Sequence, residues 1–167
     1  MRYTRGMRIL GIDPGYDRLG IAVIEKPKKG RETLVYSDCL QTNSKDSIYV
    51  RLKQVGEEVS SIMDKFKPDA IALETLFITK NQKTAMRVAE ARGIVIYEAV
   101  KRGIAVSEYS PMQIKMAVTS DGNSGKDRIF KMLPLLIDLP IRQLAEAVDD
   151  EYDAIAVALT HSACTRL

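Results

Sequence analysis

Carboxylates stand at the ends of two apolar segments of the chain. Asp13 follows the run "MRILGI" and Glu74 follows "DAIAL", and each directly precedes a segment that is predicted to be a loop. In an α/β sheet, strand ends of this kind face the ligand crevice. We therefore expect both side chains at one functional edge of a sheet, although a single Asp in such a place is also typical of a turn or a helix cap.

A third acidic group lies in the segment "DDEYDAIAVALTHS" near the end of the chain. Asp150 and Asp153 are three residues apart, so they share one face of a predicted helix near its N-terminus. Asp149 and Glu151 lie beside them, and the spacing alone does not choose among Asp149, Asp150 and Glu151. A turn or a helix cap could explain any one of these three acidic positions. It is a weaker explanation for all three together.

A group of carboxylates of this kind favours a hard metal ion. Neighbouring carboxylates repel one another and lose hydration, so they usually need a counter-cation. An all-oxygen ligand set suits Mg²⁺ or Mn²⁺, and the single His and the two distant cysteines, Cys39 and Cys164, argue against zinc and against a disulfide framework. Two such ions about 3.5 to 4 Å apart can activate water and stabilise the leaving oxygen of a phosphodiester. The pattern therefore predicts a metal-dependent nuclease.

The order of the predicted strands and helices that hold these residues indicates an α/β domain. Strands are predicted at residues 7–13, 20–25, 31–40, 69–74 and 104–110, and helices at 47–66, 81–103, 111–118, 128–137 and 149–167. Three strands followed by helix, strand, helix, strand and further helices predict a mixed five-stranded sheet flanked by helices.

Length and composition indicate an ordinary folded protein. The 167 residues, of which 46% are hydrophobic and 28% charged, predict one domain over 1–167, with residues 1–6 as a flexible N-terminal extension. The chain has neither an apolar run long enough for a membrane span nor the apolar core of a signal peptide, so we expect a cytoplasmic protein without a membrane partner. A net charge of +3 is compatible with a polyanionic partner but does not require one.

Four segments resemble, in order, the RuvC family of bacterial Holliday junction resolvases: "GIDPGYDRLGIAV", "ALETLFITKNQKTA", "SPMQIKMAVT" and "DEYDAIAVALTHS". The resemblance covers nearly the whole chain. It implies a ribonuclease H-like fold, a homodimer, and Mg²⁺ as cofactor at two positions per active site, with Mn²⁺ as a substitute. It also implies paired nicks in the opposing strands of a four-way DNA junction during recombination and repair, and a branch-migration motor complex as a further partner.

Position by position, the resemblance makes four carboxylates both catalytic and metal-binding: Asp13, Glu74, Asp150 and Asp153. It thereby selects Asp150 from the acidic residues beside it. His161 lies two helical turns beyond Asp153, and we interpret it as structural or incidental.

The resemblance also implies residues that bind DNA. Phe77 matches an aromatic residue that stacks on a base near the cut, where stacking contributes roughly 1 to 3 kcal/mol per base. Lys115 and Lys126 match positions that contact phosphates, and Lys80 and Lys83 extend this basic track. Without the resemblance, Phe77 would be interpreted as a core residue and single lysines as solvated surface. The loop at 119–127 is less basic than is common in the family, which puts the strength of its DNA contact in question.

The helix predicted from about residue 81 to 102 has more apolar residues than one buried stripe needs. They are Ala85, Met86, Val88, Ala89, Ile94, Val95, Ile96, Ala99 and Val100. The surplus indicates either a deeply buried helix or a second buried surface. The resemblance favours a dimer interface, and a two-fold dimer would place two equivalent sites opposite the two strands of a junction.

Three other classes of protein remain as alternatives. Actin-like ATPases and sugar kinases share the fold and an Asp-Gly turn, but they normally contain two such domains. A non-catalytic junction-binding protein would lack at least one of the four carboxylates. A ribosomal RNA maturation nuclease of related fold would have a similar acidic site, although "FITKNQKTA" and the last helix favour the resolvase.

Overall fold

The computed structural model of the chain describes residues 6–76, 82–139 and 148–165. Residues 1–5 of the predicted N-terminal extension lie outside this set, as do the predicted DNA-binding residues Phe77 and Lys80.

A mixed sheet forms the centre of the fold. Its strands are β1 (Met7–Asp13), β2 (Arg18–Lys26), β3 (Glu32–Gln41), β4 (Ala70–Glu74), β5 (Ala105–Tyr109) and β6 (Ile137–Asp138), in the order β5-β4-β1-β2-β3-β6. The pairs β1/β2 and β2/β3 are antiparallel, whereas β1/β4, β4/β5 and β3/β6 are parallel.

The prediction of a five-stranded sheet is wrong by one short strand. Residues 137 and 138, of which the first was predicted to end a helix, form β6 and pair with Glu32 and Thr33. The backbone of Ile137 turns to φ −133° and ψ 144°, and its buried side chain joins the core. A strand of two residues has no visible alternation of apolar and polar side chains, so the sequence pattern contains no signal for it.

In the part of the chain that the structure describes, five helices cover the two faces of the sheet. They are α1 (Ile48–Phe66), α2 (Gln82–Lys101), α3 (Pro111–Thr119), α4 (Lys126–Leu136) and α5 (Asp149–Cys164). None of the helices in the described parts of the chain is long and apolar enough to cross a membrane.

Alternating strand residues bury against different helices. Leu10 and Ile12 of β1 pack with α1 and α2, whereas Ile9 packs with α5. In β4, Leu73 faces α1 and α2, and Ala72 faces α5. Since side chains alternate along a strand, the last residues of both strands project on the face that α5 covers.

Helix α5 lies against the sheet at backbone distance. A Cβ atom at Gly11 would lie 2.2 Å from the carbonyl oxygen of Ala154, and one at Gly20 would lie 2.0 Å from that of Asp150. Both distances are too short for a side chain, so glycine at these positions lets the helix approach β1 and β2. This close packing places the first turns of α5 at the ends of the strands.

Candidate active site

Three predicted carboxylates line one cavity at the edge of the sheet. Asp13 ends β1, Glu74 ends β4, and Asp153 lies in the second turn of α5; the cavity has a volume of about 380 Å³. The strands β1 and β4 are parallel, with Ile12 paired to Leu73, so their final carboxylates are neighbours. The cavity is completed by Pro111, Ile114, Lys115, Lys126 and Ile129.

The fourth predicted carboxylate, Asp150, lies one turn before Asp153 and outside the lining of this cavity. It is close enough to Asp13 for its charge to raise the pKa of that residue. The Oδ2 atom of Asp150 lies 2.8 Å from Nη2 of Arg18. Asp153 has a similar partner, because Nζ of Lys126 donates a hydrogen bond of 2.8 Å to its Oδ2.

The contacts of Glu151 and the exposure of Asp149 separate them from Asp150. One carboxylate oxygen of Glu151 accepts from the backbone N–H of Val148 at 3.2 Å, and the other accepts from Oγ of Ser37 at 2.7 Å. Glu151 therefore caps its own helix and ties it to β3. Asp149 is exposed to solvent, so the geometry favours Asp150 as the partner of Asp153.

The electrostatics of the cavity indicate a shortage of positive charge. The pKa of Asp13 is raised to about 7, first by burial and then by the charges of Glu74, Asp153 and Asp150, while the charge of Lys126 acts in the opposite direction. The pKa of Glu74 is also raised, mainly by burial and to a lesser extent by the charge of Asp153. A carboxyl group that is half protonated at neutral pH would be returned to its charged form by a bound cation. The donor chemistry thus fits a hard divalent ion.

The carboxylates do not form a finished metal cage. Among residues 6–76, 82–139 and 148–165, no three acidic, histidine or cysteine side chains have the arrangement of a metal site. Two of the carboxylates are paired with basic side chains, since Asp150 faces Arg18 and Asp153 faces Lys126.

A second cavity, of about 200 Å³, lies on the other side of Asp13 and Glu74. Its remaining lining is mainly small or apolar: Pro14, Thr75, Leu76, Thr84, Ala85 and Val88. The two strand-end carboxylates therefore lie between a charged cavity, which contains Lys115 and Lys126, and an apolar one. Such a site can hold a phosphate group on the first side and an uncharged part of a nucleotide on the second.

The basic residues predicted from sequence are only partly brought together. Lys115 and Lys126 both line the larger cavity, and their charges oppose the rise in the pKa of Glu74. Lys83 is exposed in the first turn of α2 and lines neither cavity. In the loop 119–127, the carboxylate of Asp121 lies 3.0 Å from Nη1 of Arg128, which neutralises one of the two acidic residues of that loop.

Arg51 is a residue that the sequence reasoning missed. Its buried guanidinium forms an ion pair with Asp17, donates to Oγ1 of Thr42 at 2.8 Å, and lies 4.7 Å from the centre of the Tyr16 ring. These contacts brace the turn that begins with Pro14, directly after Asp13. Arg51 lies four residues before Val55 on the apolar stripe of α1, and a charged residue on such a stripe is the signal that could have revealed it.

His161 is a core residue. Its Nδ1 lies 2.8 Å from the hydroxyl of Tyr109, and its Nε2 lies 3.3 Å from Oγ1 of Thr165. The pKa of the imidazole is lowered, mainly by burial and to a lesser extent by the nearby charge of Lys26. The side chain lines neither of the two cavities, which supports the interpretation that it is structural.

Comparison with known proteins places the chain in one family. The model of the family described as "Crossover junction endodeoxyribonuclease RuvC" matches residues 9–161. Two similar relatives bear that same name. The one from Pseudothermotoga lettingae is 40% identical over 157 residues, which cover 94% of each chain. The one from Brevibacillus brevis is 39% identical over 156 residues, which cover 93% of this chain and 92% of the relative.

A solved structure agrees with this assignment. RuvC of Thermus thermophilus, in complex with a Holliday junction substrate, superimposes with a TM-score of 0.85 at 30% identity, over 93% of each chain. The predicted ribonuclease H-like fold is thereby confirmed. This chain therefore belongs to the RuvC family of crossover junction endodeoxyribonucleases, which are hydrolases.

Proposed function

We propose that this chain resolves Holliday junctions in DNA recombination and repair, by symmetric paired nicks that require a divalent metal ion. The observation that carries the proposal is the meeting of Asp13, Glu74 and Asp153 in one cavity with Lys115 and Lys126. Carboxylates that bind a hard cation thus lie beside two cations that can hold phosphate. The related Thermus thermophilus protein was solved with a Holliday junction substrate, which supports the choice of DNA.

The proposed metal ligands are Asp13, Glu74, Asp150 and Asp153, which would hold Mg²⁺, or Mn²⁺ in its place, at two positions. When bound, such ions supply an activated water and stabilise the leaving oxygen of the phosphodiester. The strands β1 and β4 fix Asp13 and Glu74 rigidly, while the first two turns of α5 present the other two carboxylates.

The proposed DNA contacts surround this site. Lys115 and Lys126 would hold the phosphate next to the cut, because both already line the cavity. Lys83, at the exposed start of α2, would contact the strand further away. The roles of Phe77 and Lys80 stay predictions from the sequence, as do the branch-migration motor partner, the cytoplasmic location and the single-domain organisation.

A homodimer formed through α2 is part of the proposal. One side of this helix, with Ala91, Val95 and Ala99, is fully buried against the sheet and α1. The opposite side exposes Met86, Tyr97 and Val100 at 65%, 62% and 64%. The helix is therefore not deeply buried all round, and its exposed apolar side supports a second buried surface in a dimer.

The proposed function is tested with the wild-type protein and its Asp13→Asn variant. Each is incubated with a mobile four-way junction, a linear duplex of the same sequence and a structured RNA, with and without Mg²⁺. We expect symmetric nicks in the junction alone, which need Mg²⁺ and are lost in the variant while junction binding remains.

Each alternative gives a different product pattern. Cleavage of the RNA in place of the junction would identify the ribosomal RNA maturation nuclease. Tight junction binding without cleavage by the wild type would identify a non-catalytic binding protein. Equal loss of binding and cleavage in Asp13→Asn would contradict the role of Asp13 as a metal ligand.

A further inference from the structure

Arg18 holds one of the proposed metal ligands from a strand outside the carboxylate cluster. It is the first residue of β2, and two residues later Gly20 lies against the backbone of Asp150. Leu19 faces α1 and α2, so the alternation of side chains directs Arg18 to the α5 face. There its Nη2 atom lies 2.8 Å from Oδ2 of Asp150.

The position of Arg18 leaves it free to change partners. Its side chain is 47% exposed, whereas that of Asp150 is 23% exposed. Its guanidinium also lies beside the side chain of Cys39, a weak hydrogen-bond partner. A partly exposed ion pair of this kind contributes little to stability, so a divalent ion that binds Asp150 could displace the guanidinium at small cost.

A guanidinium that leaves Asp150 can bind a phosphate group of the DNA instead. Its planar fork of N–H donors matches the oxygens of a phosphate group and cannot lose its charge at physiological pH. Under the proposed function the scissile phosphate would bind in the cavity that Asp13 and Asp153 line, and Asp150 is one helical turn away from Asp153. A phosphate flanking the cut is therefore within the region that the Arg18 side chain can sample.

We propose that Arg18 is an exchangeable counter-ion: it neutralises Asp150 in the metal-free protein, and metal binding releases it to contact a phosphate of the DNA. This inference rests on the proposed metal site and assigns to Arg18 a role that the carboxylates and lysines named above do not fill. Because coupling between two ligands is reciprocal, DNA that captures Arg18 also strengthens metal binding.

The test uses Arg18→Gln in the full chain, with Arg31→Gln as matched control. Arg31 is also an exposed arginine paired with an aspartate, Asp138, and its side chain is 49% exposed. Mg²⁺ binding to the DNA-free proteins is measured by calorimetry, with Asp13→Asn included. Junction affinity is measured by fluorescence anisotropy over a range of salt concentrations, in EDTA and in Ca²⁺, with denaturing gels to verify that the junction stays uncut.

We expect Arg18→Gln to bind Mg²⁺ about two- to fivefold more tightly than wild type, because the ion no longer displaces an ion pair. In Ca²⁺ the variant should bind the junction about two- to tenfold more weakly, with a salt slope lower by about 0.9, the value for one phosphate contact. In EDTA its junction affinity should stay within about twofold of wild type, since the guanidinium is then held by Asp150. Arg31→Gln should match wild type throughout.

Several results would overturn the proposal. Unchanged Mg²⁺ and junction affinities would make Arg18 a solvated surface residue, and weaker Mg²⁺ binding would make it a fixed support of Asp150. Equal loss of junction affinity in EDTA and Ca²⁺ would make it an ordinary phosphate contact without exchange. If wild type itself binds no Mg²⁺, the proposed metal site fails; if only Asp13→Asn loses Mg²⁺ binding and Arg18→Gln equals wild type, the metal site stands and the role of Arg18 falls.

Discussion

Lowering the pH below 7 should weaken Mg²⁺ binding by this chain, because a proton competes with the ion at Asp13. The pKa of Asp13 is raised to about 7 by burial and by three neighbouring carboxylates. Since a metal ligand must be deprotonated, the apparent affinity falls with the fraction of Asp13 that is charged. For one proton and this pKa, binding at pH 6 is about tenfold weaker than at pH 8.

The same pKa predicts how the metal-free fold responds to pH. The pKa is higher in the folded state than in the unfolded chain, so the associated stability is complete at pH values below 4 and is lost as the pH rises through 7. The full difference is on the order of 4 kcal/mol, from a shift of about three pH units. Asp13→Asn should therefore unfold at a higher temperature than wild type at pH 8 in EDTA, and saturating Mg²⁺ should stabilise only wild type.

Calorimetry in two buffers of different ionisation enthalpy measures the proton that Mg²⁺ releases. At pH 7 we expect about half a proton per protein, falling to near zero at pH 8.5. Asp138→Asn, at an exposed carboxylate outside both cavities, serves as control and should behave as wild type. An Mg²⁺ affinity that stays flat between pH 6 and 8, without proton release, would refute the assignment of a raised pKa to Asp13.

Three further predictions follow from the contacts described above. Wild type should sediment as the proposed dimer and Tyr97→Glu as a monomer, whereas Leu135→Glu, at an equally exposed apolar site on α4, should sediment as wild type. The single imidazole, His161, should titrate by NMR below pH 6.5, so its charging destabilises the fold as the pH falls through that pKa; a value of 6.5 or above would contradict its burial. Arg51→Met should lower the free energy of unfolding by about 1 to 3 kcal/mol and reduce cleavage, while Lys53→Met on the exposed face of α1 should leave both unchanged.

The strand-end carboxylates could be predicted from sequence because their signal is local. Asp13 and Glu74 each follow a continuous apolar run, and a buried strand with a charge at its end indicates a ligand edge. The same runs contain no information on which sheet face each carboxylate takes, because both faces are buried and apolar residues do not alternate with polar ones. That face becomes known only when α5 is seen to pack on it.

The residues that sequence reasoning missed depend on contacts between distant segments. Arg18 meets Asp150 only because Gly20 lets α5 approach β2, and nothing near Arg18 in the sequence indicates a helix more than a hundred residues later. The spacing alone also leaves Asp150 and Glu151 open, and the contact of Glu151 with Ser37 of β3 supports Asp150, which the family resemblance selects. Local spacing therefore finds the candidates, and long-range packing decides among them.

The negative charge of the four proposed ligands is reduced or compensated in two physically different ways, and burial determines which one applies. Asp13 and Glu74 project from buried strands and form no ion pair with any residue that the structure describes. Burial of a charged carboxylate is unfavourable there, so the pKa of each is raised toward the protonated form. Asp150 and Asp153 lie on a helix that solvent and basic side chains can reach, so each is paired with a cation. On the proposals above, a divalent ion would reverse both arrangements, since it would expel a proton from the first pair and release a basic partner from the second. Metal binding should therefore depend on pH through the strands and on the exchange of basic partners through the helix.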